Sequence, residues 1–165
     1  MNNKLILGID PGLNFTGWGL IKSCINKEEY ISHGVIKTKN VLTLGVRLNK
    51  IFDNLNKIIE EYLPEEISVE KIFSNSNPVS TLKLGKARGI VFLVAARKKI
   101  KISEYAPNTV KKNLVGYGHA DKGQILKMIE RIYPGIKIDD ADSADALAVA
   151  ICHAMQTKSK LLIKD

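Results

Sequence analysis

Four carboxylates occupy positions that call for an explanation. Asp10 closes the apolar run Leu5-Ile6-Leu7-Gly8-Ile9, and Glu70 directly follows the apolar Val69. Asp142 and Asp145 stand three residues apart in Ala141-Asp142-Ser143-Ala144-Asp145-Ala146, on one face of any helix formed there. Taken singly, each has a modest explanation. Asp10 suits a turn with Pro11 and Gly12, Glu70 a solvated strand end, and the paired aspartates the positive end of a helix. Brought together, they become a different object. Four ionised carboxylates a few ångströms apart repel by about 4 kcal/mol per adjacent pair at an effective dielectric of ~20. Hard divalent cations relieve that repulsion, and an all-oxygen donor set suits Mg²⁺ or Mn²⁺. Two such ions about 3.5–4 Å apart would form a phosphoryl-transfer site, one activating water and the other stabilising the leaving oxygen.

A site of that kind needs a polyanion to cut, and the charge distribution provides for one. The 165-residue chain carries 25 Lys/Arg against 17 Asp/Glu, a net of +8 with a pI near 9.4. Residues 71–137 hold 14 Lys/Arg and only 3 acids, Glu104, Asp121 and Glu130, a net of +11. The other 98 residues net −3 and contain all four carboxylates. An even, merely solvated spread of lysine would not produce this division. One contiguous basic segment is what a nucleic acid would meet.

The elements that must position these residues can be read from the apolar pattern. Leu5 to Ile9, Phe15 to Lys22 and Tyr30 to Lys37 predict three strands in an antiparallel meander. Leu44, Leu48, Ile51, Leu55, Ile58, Ile59 and Tyr62 recur at helical spacing, with Pro64 as a stop. Glu66 to Glu70 is strand-like with Ile67 and Val69 inward. Pro78 suits a first helical turn, and Leu82 to Lys99 predicts a long helix, apolar around much of its girth and so mostly buried. Its Gly85 and Gly89, four apart, leave room for another helix. Ile100 to Tyr105 is a fifth strand, and helices over about Asp121 to Ile132 and Asp140 to Gln156 follow. The expected fold is α/β, a mixed five-stranded sheet with helices on both faces, in one domain over residues 1–165.

At these residues the chain resembles the RuvC family of bacterial Holliday junction resolvases, within the ribonuclease H-like superfamily. The matching stretches are Ile6-Leu7-Gly8-Ile9-Asp10-Pro11-Gly12 with Thr16-Gly17, Glu70-Lys71-Ile72-Phe73, and Leu82-Lys83-Leu84-Gly85-Lys86-Ala87-Arg88-Gly89. They continue through Glu104-Tyr105-Ala106, Val110-Lys111, Val115-Gly116-Tyr117-Gly118, Lys122 and Ala141-Asp142-Ser143-Ala144-Asp145-Ala146-Leu147-Ala148. The resemblance implies a ribonuclease H-like fold and Asp10, Glu70, Asp142 and Asp145 as catalytic metal ligands for two Mg²⁺, with Mn²⁺ able to substitute. It places Lys122 and Lys111 close to the scissile phosphate; we assign Lys122 to transition-state charge and Lys111 to phosphate positioning, a division the resemblance does not itself supply. Phe73, which by its position alone could equally be a core residue capping the sheet, would on this resemblance stack on an unpaired base at the crossover, worth ~1–3 kcal/mol. Lys86, Arg88 and Lys112 are expected as further DNA contacts. The implied partners are four-way junction DNA, a second copy in a homodimer, and the RuvA–RuvB branch-migration machinery. The family nicks two opposed strands symmetrically, in recombination and repair. Where relatives often carry Lys, this loop has Ser76, and Pro78 stiffens its exit.

Other readings have less support. A non-catalytic DNA-binding scaffold would not need all four acids. An actin-like phosphotransferase shares the Asp-Pro-Gly opening but needs two such domains. Gly116-Tyr117-Gly118 is no dinucleotide fingerprint, and no Gly-rich loop ends in the Lys-Ser/Thr of a P-loop. His33, His119 and His153 share no metal spacing; His153, eight residues after Asp145, is expected in the core or in solvent, and His119 near Lys122 could touch phosphate. Cys24 and Cys152 read as free thiols of a reducing compartment. The first residues form too short an apolar run for a signal peptide, and the longest run, Gly89 to Ala96, is far below a membrane span. Cytoplasm is the expected location.

Overall fold

In a computed structural model, which describes residues 3–72 and 78–162, the first three strands form the expected meander. β1 (Lys4–Asp10), β2 (Phe15–Ser23) and β3 (Glu28–Lys37) pair antiparallel. α1 (Leu44–Tyr62) then returns the chain so that β4 (Glu66–Glu70) pairs parallel to β1. α2 (Pro78–Arg97) leads to β5 (Lys101–Tyr105), parallel to β4, and α3 (Pro107–Val115), α4 (Lys122–Ile132) and α5 (Ala141–Leu162) follow. The strand order is β3-β2-β1-β4-β5.

Strand periodicity assigns the two faces. Leu7, Ile9, Leu20, Ile36, Ile67 and Val69 pack with α1 and α2, while Ile6 and Ile21 pack with α3, α4 and α5. Ser68 and Glu66 are also buried, so β4, an interior strand between β1 and β5, is covered on both sides. On the α5 side, Tyr105 Oη lies 2.7 Å from His153 Nδ1, and His153 Nε2 reaches Glu66, which also accepts from Lys4. His153 is therefore a satisfied core residue, 3% exposed, tying α5 to β4 and β5. Burial pushes Glu66 up, but the bonds from Lys4 and His153 outweigh it and hold the carboxyl below its ordinary value. Cys24 and Cys152 are both free.

Two expectations are corrected here. Pro107 to Val115 is a helix the apolar pattern did not predict, because Lys111, Lys112 and Asn113 leave only Val110 and Leu114 buried in nine residues. And α2 is only half buried. Ala87, Val91, Val94 and Ala95 face the core, whereas Leu82 is 66% and Leu93 48% exposed. The helix packs on the sheet beside α1, and among the described residues the apolar side chains Leu82 and Leu93 on its far face stay exposed.

Candidate active site

The same period of two that sorts the core also aims the acids. Ile6 and Gly8 face α5, so Asp10, two further on, faces it too. Glu66 reaches His153 of α5, so Glu70, four further on, shares that side. The parallel register pairs Gly8 with Ser68 and Ile9 with Val69, and one more step sets Asp10 beside Glu70 at the carboxyl ends of both strands. Ligands of open α/β sheets gather at that edge.

α5 reaches the same edge because glycine clears its path. Gly17 pairs with Asp10 across β1 and β2, and Gly8 with Gly19. A Cβ on Gly17 would lie 2.0 Å from the Asp142 carbonyl oxygen, and one on Gly8 2.0 Å from that of Ala146. With Ala146 and Ala150 on its own side, the helix backbone rests almost directly on the sheet. Asp140 bonds Ser143 N at 2.6 Å and starts the helix, which leaves Asp142 and Asp145 in its first turns, both partly buried.

The electrostatics follow from that crowding. Burial, then the charges of Asp145, Asp142 and Glu70, push the Asp10 carboxyl from 3.8 up to about 8, against a smaller downward pull from Lys122. Burial and Asp145 likewise raise Glu70, with Lys111 and Lys122 opposing. Asp142 is raised by burial, Asp140 and Asp145. The compensating cation is Lys122, whose Nζ lies 3.0 Å from Asp145 and which its hydrogen bond to Asp145 raises further. Lys122 is the first residue of α4, held there by a capping box in which Asp121 accepts from Gln124 N and Gln124 accepts from Asp121 N, both at 2.9 Å.

Two hollows meet at the acids. Asp10, Glu70, Lys71 and Leu84 line the first, and Glu70, Lys111, Lys122 and Asp145 the second. The structure thus brings six of the expected residues together: Asp10, Glu70, Asp142, Asp145, Lys111 and Lys122. Lys86 and Lys112 are exposed and line neither hollow. Arg88, expected among the DNA contacts, is engaged by the protein itself. It donates to the Glu70 carbonyl oxygen and the Glu104 carboxylate, lies 5.0 Å over the Phe92 ring, and its side chain is 12% exposed. Its place is behind Glu70, clamping the end of β4. Phe73 lies outside the described residues, as does Ser76. His119 is exposed.

A mixed sheet of this order, with carboxylates at the ends of β1 and β4 and in the first turns of the last helix, defines the ribonuclease H-like class. Comparison with known proteins narrows this. The family model for crossover junction endodeoxyribonuclease RuvC matches residues 6–153. Proteins of that name from Rhizobium johnstonii and Brucella anthropi are 46% and 44% identical, each alignment covering 93% of this chain and 90% of the relative. The solved structure of Thermus thermophilus RuvC in complex with Holliday junction substrate superimposes with a TM-score of 0.87 at 29% identity, covering 95% of this chain and 96% of that one. The chain belongs to the RuvC family of crossover junction endodeoxyribonucleases.

Proposed function

We propose that this chain resolves four-way DNA junctions, hydrolysing one phosphodiester in each of two opposed strands at Asp10, Glu70, Asp142 and Asp145. The observation that carries the reading is Asp10, a carboxyl pushed to about 8 by burial and three acidic neighbours in a chain of this family. An all-oxygen set crowded enough to push the Asp10 carboxyl to about 8 is one that divalent cations would relieve. Among the described residues no three such side chains stand close enough to hold an ion as they are, so binding requires the carboxylates to turn toward one another. Mg²⁺, two per site with Mn²⁺ as substitute, would supply an activated water and a Lewis acid at the leaving oxygen. The chain's own residues do the rest. The four carboxylates fix the donor set. Lys122, on the capped first turn of α4, places positive charge where the phosphate gains negative charge. Lys111 orients the phosphate across the second hollow.

Symmetric nicking is best served by two copies. Leu82, Gly85, Gly89 and Leu93 form one exposed face of α2, and a Cβ at either glycine would meet nothing within 4 Å. A second copy seated there would give a two-fold pair of sites for a roughly two-fold junction. The RuvA–RuvB machinery and the cytoplasm remain part of the proposal through the family resemblance, while no helix among the described residues is long and apolar enough to cross a membrane.

The test is incubation with a synthetic four-way junction and a matching linear duplex, each with Mg²⁺ and with chelator. Paired symmetric nicks on the junction alone, dependent on metal, are expected. Equal cutting of the duplex would overturn the reading.

A further inference from the structure

A third hollow, of about 560 Å³, continues the series beyond the acids. It shares Leu84 with the hollow at Asp10, as that one shares Glu70 and Pro107 with the hollow at Lys111 and Lys122. Asn14, Phe15, Asn40, Arg47, Lys83 and Asp142 help line it. Its size falls within the ~300–1,000 Å³ usual for small-ligand sites.

Arg47 is its unusual feature. It occupies the slot four residues before Ile51 on the core side of α1 and is 9% exposed. Its Nε donates to Thr38 Oγ1 at 2.9 Å, and its Nη2 donates to the Leu13 carbonyl oxygen at 3.1 Å and to the Asn14 side-chain oxygen. All three acceptors are neutral. Among the described residues no acid forms an ion pair with Arg47. Burying a guanidinium without a counter-charge is expensive, and an anion entering this hollow would supply one. Lys83, exposed on α2, brings a second cation to the same hollow. Phe15, 48% exposed, adds an aromatic face, and Asn14 and Asn40 add amide groups. Asp142 marks the border with the metal-binding acids, so an anion belongs toward Arg47 and Lys83.

We infer that this hollow is a nucleotide subsite for the cleaved strand, holding the phosphate next to the scissile one between Arg47 and Lys83, with its sugar and base against Phe15, Asn14 and Asn40. The inference rests on the nuclease reading and extends it: the strand would run from the Lys111 and Lys122 side, over the acids, into a second cationic seat. Cations on both sides of the acids hold the strand across a cluster that would otherwise repel it. Placement of two phosphates, rather than one, also fixes the direction of the strand through the site.

The competing role for Arg47 is purely structural, a pin between the Leu13–Asn14 turn and the end of β3. The experiment separates the two through Lys83, which the turn does not need. Junctions carrying one neutral methylphosphonate at each phosphate flanking the cut are bound in chelator, and affinity is read by fluorescence anisotropy. Wild type should lose about 5–10-fold at one flanking position. Lys83→Ala should lose a similar factor on the unmodified junction, with a salt slope shallower by about one. At the sensitive position the variant and the methylphosphonate should not add, because they remove the two halves of one contact. Arg47→Gln should show the same position-specific coupling, beyond any fall in melting temperature. Lys86→Ala, on the same helix but lining none of the three hollows, should add to the methylphosphonate loss everywhere. Losses for Lys83→Ala that multiply with the methylphosphonate at every position would overturn the subsite alone, provided wild type binds and cuts the junction. A wild type that neither prefers nor cuts the junction would take the nuclease reading down with it.

Discussion

Replacing Asp10 by Asn should abolish cleavage and yet, in chelator at pH 8, stabilise the fold. Asp10 has a folded value of about 8 against 3.8 for an unperturbed aspartate. Between those values the folded chain keeps a proton that the unfolded chain gives up, so this group lowers stability progressively as pH rises. The penalty is absent below about pH 4 and nearly complete near pH 8. At ~1.4 kcal/mol per pH unit it reaches about 5 kcal/mol. Rotation toward solvent and entry of water recover part of it, leaving about 2–3 kcal/mol for Asn to relieve. For a chain this long, each kcal/mol moves Tm by about 2–4 °C, so Asp10→Asn should melt about 5–10 °C above wild type. The gap should shrink steadily toward about pH 4.5 and close below about pH 4, where the aspartate is neutral in both the folded and the unfolded chain. It should also narrow at pH 8 when Mg²⁺ is added, since the cation stabilises only the ionised site. Thermal melts in EDTA from about pH 4.5 to 8.5, repeated with Mg²⁺, measure all of this. A variant no more stable than wild type at pH 8, or a gap independent of pH, would refute the crowding of charge around Asp10.

Glu70→Gln and Asp145→Asn should also lose cleavage while keeping junction affinity within a few-fold in chelator, if the basic segment is what meets the DNA; full cleavage by either variant would refute the metal-site assignment. Arg88→Ala removes the clamp on the Glu70 carbonyl and should cost about 1–3 kcal/mol in chemical denaturation, with a larger loss in kcat than in junction affinity; unchanged kcat would place Arg88 outside the site's support. Leu93→Glu, on the exposed face of α2, should leave the far-UV spectrum and Tm intact but convert a dimer to a monomer in sedimentation; a dimer of unchanged stability would exclude that face as the seam. Gly17→Ala puts a Cβ 2.0 Å from the Asp142 carbonyl oxygen and should lower stability by about 1–3 kcal/mol or more, with cleavage lost as α5 is pushed away; wild-type melting and cleavage together would mean the helix is not seated where it is described.

The strands, the first helix and the placement of the four acids at the ends of their elements were legible because each rests on a local pattern. Period-two alternation, helical spacing and a carboxylate after an apolar run all survive without tertiary information. What was not legible depended on what lies above a surface. The apolar girth of α2 reads as burial, yet Leu82 and Leu93 are exposed because the helix caps one side of the sheet and no other described element packs over it. α3 was missed because three polar residues interrupt it, although Pro107 at its start and Val110 and Leu114 four apart were available signals. Arg88 reads as one more cation of the basic segment, and only the fold shows it against Glu70 and Glu104. Arg47 left a detectable trace, an arginine in a core-facing slot of an amphipathic helix.

The acidic edge of the sheet and the tight helix seat are one feature of the design. Asp10 and Glu70 converge because β1 and β4 are parallel neighbours, which requires the α1 crossover. The aspartates of α5 reach them only because β1 and β2 present Gly8, Gly17 and Gly19 along the row where side chains would otherwise hold the helix away. That close seating also removes water from Asp10 and exposes it to Asp142, Asp145 and Glu70 at once, which raises its carboxyl. The fold tolerates the repulsion because α5 is anchored elsewhere, through the buried run from Ala146 to Ala154 and through His153 bonded to Glu66 and Tyr105. Stability is therefore concentrated at the far end of α5 and strain at its first turns. A cation arriving at that end would meet carboxylates that gain by binding it, so on the proposed function the residues that weaken the fold are the ones that would hold the metal.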